Sequence, residues 1–256
     1  MQLTILGSGT SMGVPVIGCR CGVCTSGDPH NQRLRTAALL QHQGTTILID
    51  AGPDLRVQML RHSVTRLDAV LLTHAHTDHI GGIDDLRPFT MGRNHSLGVY
   101  GDPGTLRRVR HMFDYAFDPA PSMSTRPRIE TRELTVLFTV GAITVAPFRV
   151  LHGPHAIVGY RFGKLAYITD ASALPPDTME QLQGLDTLVL NALRHQPHPL
   201  HLTVADALTI VEQLRPRQAF FIHITHDLDH ATVNAELPAY AQLAFDGQVI
   251  QVRDGE

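Results

Sequence analysis

Lysine is almost missing from this chain. Lys164 is the only one, so arginine carries nearly all of the basic charge. The formal net charge is -3 and the isoelectric point lies near 6.6. That balance excludes general long-range attraction for polyanions, although a local basic patch stays open. Cysteine is scarce as well: there are three, all between Cys19 and Cys24. So few thiols in one spot exclude a secreted disulfide framework. No apolar run approaches the ~20 residues needed to span a bilayer. The opening MQLTILGSGT lacks the basic start and long apolar stretch of a secretory leader. These absences lead us to expect a cytoplasmic protein. There is no low-complexity tract, no repeat at a period of ~20–50 residues and no linker. The 256 residues, 43% apolar and 18% charged, therefore read as one domain, residues 1–256.

Histidine is what the chain has in excess: sixteen, and they cluster. The densest run is LTHAHTDHIGG, Leu72 to Gly82, which holds His74, His76, Asp78 and His79. Four such groups are awkward in a core and unnecessary on a surface; a metal ion satisfies all of them at once. In extended chain, residues two apart point the same way, so His74 and His76 can reach one ion. Asp78 and His79 follow where the chain turns into a helix and face a neighbouring point. One segment can thus furnish ligand pairs for two adjacent ions. Gly81 and Gly82 let backbone approach closely there.

Other ligands are sought at other strand ends. LDAVLLT reads as the buried strand before the histidine run. FRVLH ends in His152, LAYITD in Asp170 and AFFIH in His223. Functional sites of α/β proteins gather at such edges. His155 competes with His152, which is preferred because it directly ends its strand. Asp170 is the candidate to bridge both ions, having two oxygens. Asp50, at a strand end before Ala51-Gly52, is read as orienting a ligand histidine without touching metal.

GCRCGVC offers a second, closed site, in a loop over residues 18–27. Cys19, Cys21 and Cys24 form a Cys-x-Cys-x-x-Cys pattern suited to structural zinc. His226 is the candidate fourth ligand, because HITH places it three residues after His223.

Elsewhere, TAALLQHQGTTILIDAG reads as two strands about a Gly44 turn. The stretches 133–138, 142–150, 157–162 and 165–169 read as successive strands. DLRVQMLRH, DPGTLRRVRHMFDYAF, PPDTMEQLQGL, LTVADALTIVEQLRP and HATVNAELPAY have helical spacing. PAPSMSTRPR, residues 119–128, reads as a loop. LAFDGQVIQV reads as two last strands across an Asp246-Gly247 turn. Strand meanders mixed with helices point to an α/β domain with two packed sheets and helices outside. Ser8, Thr10 and Ser11 lie in a Gly-rich turn, GSGT, that can offer backbone N–H groups to a phosphate or be a plain turn. Asp54, Asp84 and Asp85 read as cap or solvated acids. Arg161 and Arg194 are possible phosphate contacts.

His-x-His-x-Asp-His after a strand, with His, Asp and His at later strand ends, resembles the metallo-β-lactamase-fold hydrolases. The resemblance implies a four-layer αββα sandwich with two mixed sheets and a two-metal centre. It places one ion on His74, His76 and His152, the other on Asp78, His79 and His223, with Asp170 between. The cysteine loop and the late HITH look like the phosphodiesterases of the carbon–phosphorus lyase pathway. These act in phosphonate metabolism and open 5-phosphoribosyl 1,2-cyclic phosphate. That resemblance implies hydrolysis of a small phosphodiester with two zinc or manganese ions, and one structural zinc. It assigns a role near the leaving group to His201 in RHQPHPLHLT, with His198 its competitor and His195 in the same loop. Asp78 joins His201 as a catalytic residue. Two adjacent divalent ions sharing a water lower its pKa towards ~7.

Protein B of pyrroloquinoline quinone biosynthesis has a similar cysteine loop, and iron in the binuclear site would favour that reading. Transfer-RNA 3′-processing enzymes resemble the chain around the metals, but carry a long RNA-holding arm not found here. Lactonase or thioesterase activity fits the same ligands. Neither membrane nor nucleic acid is expected as a partner, and a homodimer stays open.

Overall fold

The computed structural model describes residues 1–92, 95–118, 120 and 123–253. The first half of the chain lays down β1 (Gln2–Gly7), β2 (Ala37–His42), β3 (Thr45–Ile49), β4 (Ala69–Leu71), β5 (Leu97–Gly101) and β6 (Ile129–Glu133), neighbours in that order. A second sheet follows: β7 (Phe138–Val140), β8 (Ile143–His152), β9 (His155–Phe162), β10 (Leu165–Tyr167), β11 (Thr187–Asn191), β12 (Gln218–Ile222) and β13 (Ala241–Leu243). The last strand, β14 (Val249–Gln251), returns to the first sheet beside β1. Among the described residues, each sheet has seven strands and mixes parallel with antiparallel pairs.

Alternation along the strands decides the layers. Leu3, Ile5, Leu40, Ile47, Ile49 and Leu71 face the second sheet, where Val145, Tyr160, Phe162, Leu165, Val189 and Ile222 meet them. The other face of the first sheet, with Leu6, Leu39, Leu48 and Val70, packs on helix-side residues such as Leu55, Met59, Ile80 and Val109. These belong to α1 (Leu55–Arg61), α2 (Thr77–Ile80) and α4 (Pro103–Met112); α3 (Arg87–Thr90) lies between the last two in sequence. The outer face of the second sheet carries α5 (Pro176–Gln181), α6 (Val204–Leu214) and α7 (His230–Glu236). On α6, Ala207, Val211 and Leu214 fall on one side and are buried. Burying each large apolar side chain stabilises the fold by roughly 1.5–3 kcal/mol. Helices outside two packed sheets give the expected αββα sandwich.

A reciprocal cap starts α6. Thr203 Oγ1 accepts from the Asp206 N–H at 3.1 Å, and Asp206 Oδ2 accepts from the Thr203 N–H at 3.0 Å. The Gly44 turn joins β2 to β3, with Gln43 and Gly44 both at positive φ (45° and 77°).

Two strand expectations need correction. The strand expected at 133–138 is broken: β6 ends at Glu133 and β7 starts at Phe138, because the chain crosses from one sheet to the other between them. The last two strands are not a hairpin. β13 runs parallel to β12 in the second sheet, and β14 pairs antiparallel with β1 in the first. The Asp246-Gly247 turn is therefore a crossover, tied down where Asp246 accepts from Ser8 N–H, Ser8 Oγ and Leu34 N–H at 2.8, 2.8 and 2.7 Å. The loop expected at 119–128 falls partly outside the described residues, at 119, 121 and 122. Among the described residues, no helix is long and apolar enough to cross a membrane.

Candidate metal centre

β3, β4 and β5 run parallel, as do β10, β11 and β12, and β8 shares the second set's direction through antiparallel β9. Their C-terminal ends carry the site residues. Asp50 follows β3, His74 follows β4, His152 ends β8, Asp170 follows β10 and His223 follows β12. At three of these ends the backbone turns left-handed: φ is 62° at Asp50, 57° at Asp170 and 57° at His223. Non-glycine residues seldom adopt this conformation, and His223 is held there by its surroundings.

The site residues form two cages. Ligand atoms of His74, His76, His152 and Asp170 lie within 4.8 Å of one another, and so do those of Asp78, His79, Asp170 and His223. Asp170 belongs to both. Its Oδ1 lies 3.3 Å from His79 Nε2, and its Oδ2 lies 3.2 Å from His223 Nε2 and 3.9 Å from His74 Nε2. Asp78 Oδ2 lies 3.1 Å from His79 Nε2 and 3.8 Å from His223 Nε2. Ligands around a four-coordinate ion with bonds of ~2.0–2.2 Å stand at about these separations. All but His76 and Asp78 are buried, and His76 is exposed.

The residues present fit metal ions on a second ground. His74 Nε2, His79 Nε2 and His223 Nε2 are buried and have no hydrogen-bond partner among the described residues. Orphaned buried nitrogens are costly, and a cation satisfies them. The carboxylates ask for positive charge as well. Burial raises the pKa of Asp170, but the neighbouring His223 and His79 outweigh it and hold the group well below the carboxylate range. Asp78 is held low in the same way, burial being overcome by the neighbouring His79 and His223. His79 is raised, since Asp170, Asp50 and Asp78 together outweigh its burial. His74 is pushed down by burial and by His79. Burial, then His152, pushes His76 down too.

Groups behind the ligands fix which nitrogen faces the cage. His79 Nδ1 bonds Asp50 Oδ2 at 2.7 Å, leaving Nε2 for metal. Asp50 also accepts from the Thr73 hydroxyl at 2.9 Å, and that oxygen lies 3.1 Å from His74 Nδ1. His152 Nδ1 donates to the backbone carbonyls of Asp170 (2.7 Å) and Leu200 (3.0 Å). Asn191 pins the turn after Asp170 by accepting from the Ala171 N–H at 2.7 Å and donating to its carbonyl at 3.0 Å. Gly52 and Gly82 allow the close packing beneath α2: a Cβ on Gly52 would sit 2.0 Å from the Asp78 carbonyl oxygen, and one on Gly82 2.0 Å from that of Gly52. Thr73, Asn191 and Leu200 escaped the sequence reading. A threonine in an apolar strand, an asparagine at a strand end and a backbone carbonyl leave no local signal.

The remaining candidates separate. His201 stacks on His223 and lies tilted against His152, with ring centroids 4.9 Å away in each case, and its Nδ1 lies 4.0 Å from Asp170 Oδ2. That Nδ1 is buried and unpartnered. Burial and the adjoining His223 push His201 down to about 3, so the ring is neutral at neutral pH. His198 stands behind it, 5.0 Å between centroids, with Nδ1 accepting from the Leu200 N–H. His195 and His155 are exposed and join neither cage. The GSGT amides are spent internally: Ser8 N–H on Asp246, Gly9 N–H on the Leu34 carbonyl and Thr10 N–H on the Ile224 carbonyl. The turn is thus a brace, and a phosphate finds no free amide at these three residues. Arg161 donates to the carbonyls of Gly163, Gln181 and Gln183, and Arg194 to those of Gln196 and Pro197. Asp54 pairs with Arg35 at 2.9 Å; Asp84 takes Arg87 and the Tyr115 hydroxyl, both at 2.6 Å; Asp85 is half-buried.

The cysteine loop closes a third cluster. Cys19, Cys21 and Cys24 Sγ lie 3.2, 3.5 and 3.4 Å from His226 Nδ1. Backbone amides of Cys24 and Val16 donate to Cys21 and Cys24 sulfur at 3.4 and 3.3 Å. The hydrogen bond from the Cys24 backbone N–H brings Cys21 down to about 6, whereas burial raises Cys24 to about 11. Three thiols and one imidazole meeting at one point are the donor set of closed structural zinc.

Comparison with known proteins agrees with this geometry. Residues 45–224 match the beta-lactamase superfamily domain. A crystal structure of a new diphosphatase from the PhnP family superposes with a TM-score of 0.93 at 42% identity, covering 98% of each chain. The zinc-bound PqqB of Methylobacterium extorquens superposes at 0.79 with 20% identity, covering 98% of this chain and 100% of that one; at that identity the likeness concerns the fold. An octanoyltransferase of Porphyromonas gingivalis is 38% identical over 255 residues, 96% of this chain, and this chain spans 51% of that protein's length. The chain thus belongs to the beta-lactamase superfamily and, within it, to the PhnP family.

Proposed function

We propose that this protein hydrolyses a small phosphodiester, cyclic or linear, with 5-phosphoribosyl 1,2-cyclic phosphate as the type substrate. The observation that carries the reading is the pair of cages sharing Asp170, with the unpartnered His201 Nδ1 4.0 Å from it. Two divalent cations held there, zinc or manganese, would supply a water activated near neutral pH and stabilise charge building on phosphoryl oxygens.

The chain's own residues do the rest. Asp78, held ionised, accepts a hydrogen bond from the attacking water and orients it. The water oxygen bonds to phosphorus, the bond from phosphorus to the leaving oxygen breaks, and one water proton ends on that oxygen. His201, neutral, donates its ring N–H to the departing oxygen as charge grows there. Asp50 and Thr73 hold His79 and His74 in register throughout. Cys19, Cys21, Cys24 and His226 would hold a structural zinc that takes no part in the chemistry.

A second reading places the scissile bond in a diphosphate diester. It is favoured by the 42% identical chain described as a diphosphatase. The same attack at phosphorus serves both. The test is an assay against bis-nitrophenyl phosphate, a ribose cyclic phosphate, a nucleotide diphosphate diester, a homoserine lactone and a thioester. Turnover confined to the lactone and thioester would refute attack at phosphorus. His201→Ala should lower turnover of alkyl-leaving-group diesters by ~100-fold or more, and of nitrophenyl esters far less. Equal loss on both would remove His201 from the leaving group.

A further inference from the structure

Among the described residues, His201 has no hydrogen-bond partner at Nδ1, so its placement depends on the loop that carries it. The ends of that loop are fixed. Leu193 N–H bonds the Leu202 carbonyl at 2.9 Å, Leu202 N–H bonds Ala171 at 2.7 Å and Val204 N–H bonds Arg194 at 3.1 Å. The loop is braced inside by Arg194, which donates to the carbonyls of Gln196 and Pro197, and by the contact of Leu200 N–H with His198. It is therefore braced as a unit. Between those ends, Leu200 reaches the strand of a metal-cage residue. The Leu200 carbonyl accepts from His152 Nδ1, and the Leu200 side chain lies over Gly153, where a Cβ would meet its Cδ2 at 2.3 Å.

We propose that Leu200, seated on Gly153, is the positioning residue that sets the register of His201 against the binuclear cages. The inference deepens the function proposed above and rests on His201 acting at the leaving group. Its physical content is a knob in a hole. The side chain fixes how far the loop descends, and the carbonyl ties that depth to His152, whose imidazole faces the first cage. Gly153 serves because it has no Cβ and because its φ is 57°.

The test uses Gly153→Ala, Leu200→Ala and the double variant in the metal-loaded full chain. Metal content, crystal structures and turnover of an alkyl and a nitrophenyl diester are measured for each. In Gly153→Ala the 198–201 segment should lift, the contact from Leu200 to His152 should lengthen and alkyl turnover should fall about tenfold or more, with nitrophenyl turnover falling less than about threefold. Adding Leu200→Ala removes the clash and should raise the alkyl rate from the Gly153→Ala level to that of Leu200→Ala alone, despite the strained alanine. An unmoved loop, equal loss on both substrates or no recovery in the double variant would each overturn the proposal. If Gly153→Ala does not fold, Leu200→Ala alone decides: a several-fold loss confined to the alkyl diester supports the knob, and equal rates to the parent on both refute it. The reading of His201 fails separately. His201→Ala treating both leaving groups alike sinks the donor role, whereas a lifted loop in Gly153→Ala still shows what positions the ring.

Discussion

Asp50 touches neither cage, yet it stands behind both. One oxygen takes His79 Nδ1 directly, and the Thr73 hydroxyl relays the other connection to His74. A ligand of each cage thus depends on one buried carboxylate. Asn tolerates the left-handed backbone at this position nearly as well as Asp. Asp50→Asn therefore isolates the hydrogen bonds from the strain. It should weaken metal binding by ~10–100-fold while the fold survives, measured by competition with a chelator. Unchanged affinity would remove Asp50 from the centre. Thr73→Val should weaken the cage of His74 more than that of His79 in the same competition. The residues of the two cages were legible because four of them crowd one short run and the others end apolar strands. Asp50 was legible for the same reason. Thr73 and Asn191 were not, since their roles depend on partners twenty or more residues away, or on a hydroxyl that any strand residue might carry.

At the scale of elements, the N-terminal loop and the segment after β12 behave as one clamp. His223 serves a cage and His226 serves the cysteine cluster, three residues apart. Arg33, buried beside them, donates to the carbonyls of Thr225 and Leu228, both at 2.7 Å. Burial lowers its pKa to about 10. His230, at the start of α7, closes the clamp by stacking on His30 with 4.6 Å between centroids. Its Nε2 lies 3.0 Å from Asn234 Nδ2, a contact that needs the neutral ring. Burial, then His30 and Arg33, lowers His230 to about 4 from 6.5. A depressed folded-state pKa gives stability that is present above 6.5 and lost as pH falls through 4. Between those values the wild type should lose stability relative to His230→Gln, with a slope approaching ~1.4 kcal/mol per pH unit. Parallel denaturation curves for the two proteins would contradict this. Most elements were legible from periodicity, α6 above all. Their partners were not: β13 and β14 are adjacent in sequence but lie in different sheets, because sheet pairing is settled by contacts remote along the chain.

The whole molecule is two sheets joined at one edge by the proposed cations. The first cage draws His74 and His76 from the first sheet's loops, and His152 and Asp170 from the second. The second draws Asp78 and His79 from the first, and Asp170 and His223 from the second. Binding therefore favours the assembled sandwich over the unfolded chain. At a free metal concentration of ~1,000 times Kd the gain is about 4 kcal/mol per site. Chelation should lower the midpoint of thermal unfolding, and a midpoint independent of metal would contradict that. The most direct test of the central claim is anomalous diffraction from crystals of the purified protein, at the absorption edges of zinc and manganese. Two neighbouring peaks about 3.5–4 Å apart, flanking Asp170, are predicted, with a third among Cys19, Cys21, Cys24 and His226. A metal-supplied crystal with no peak beside Asp170 would contradict the account.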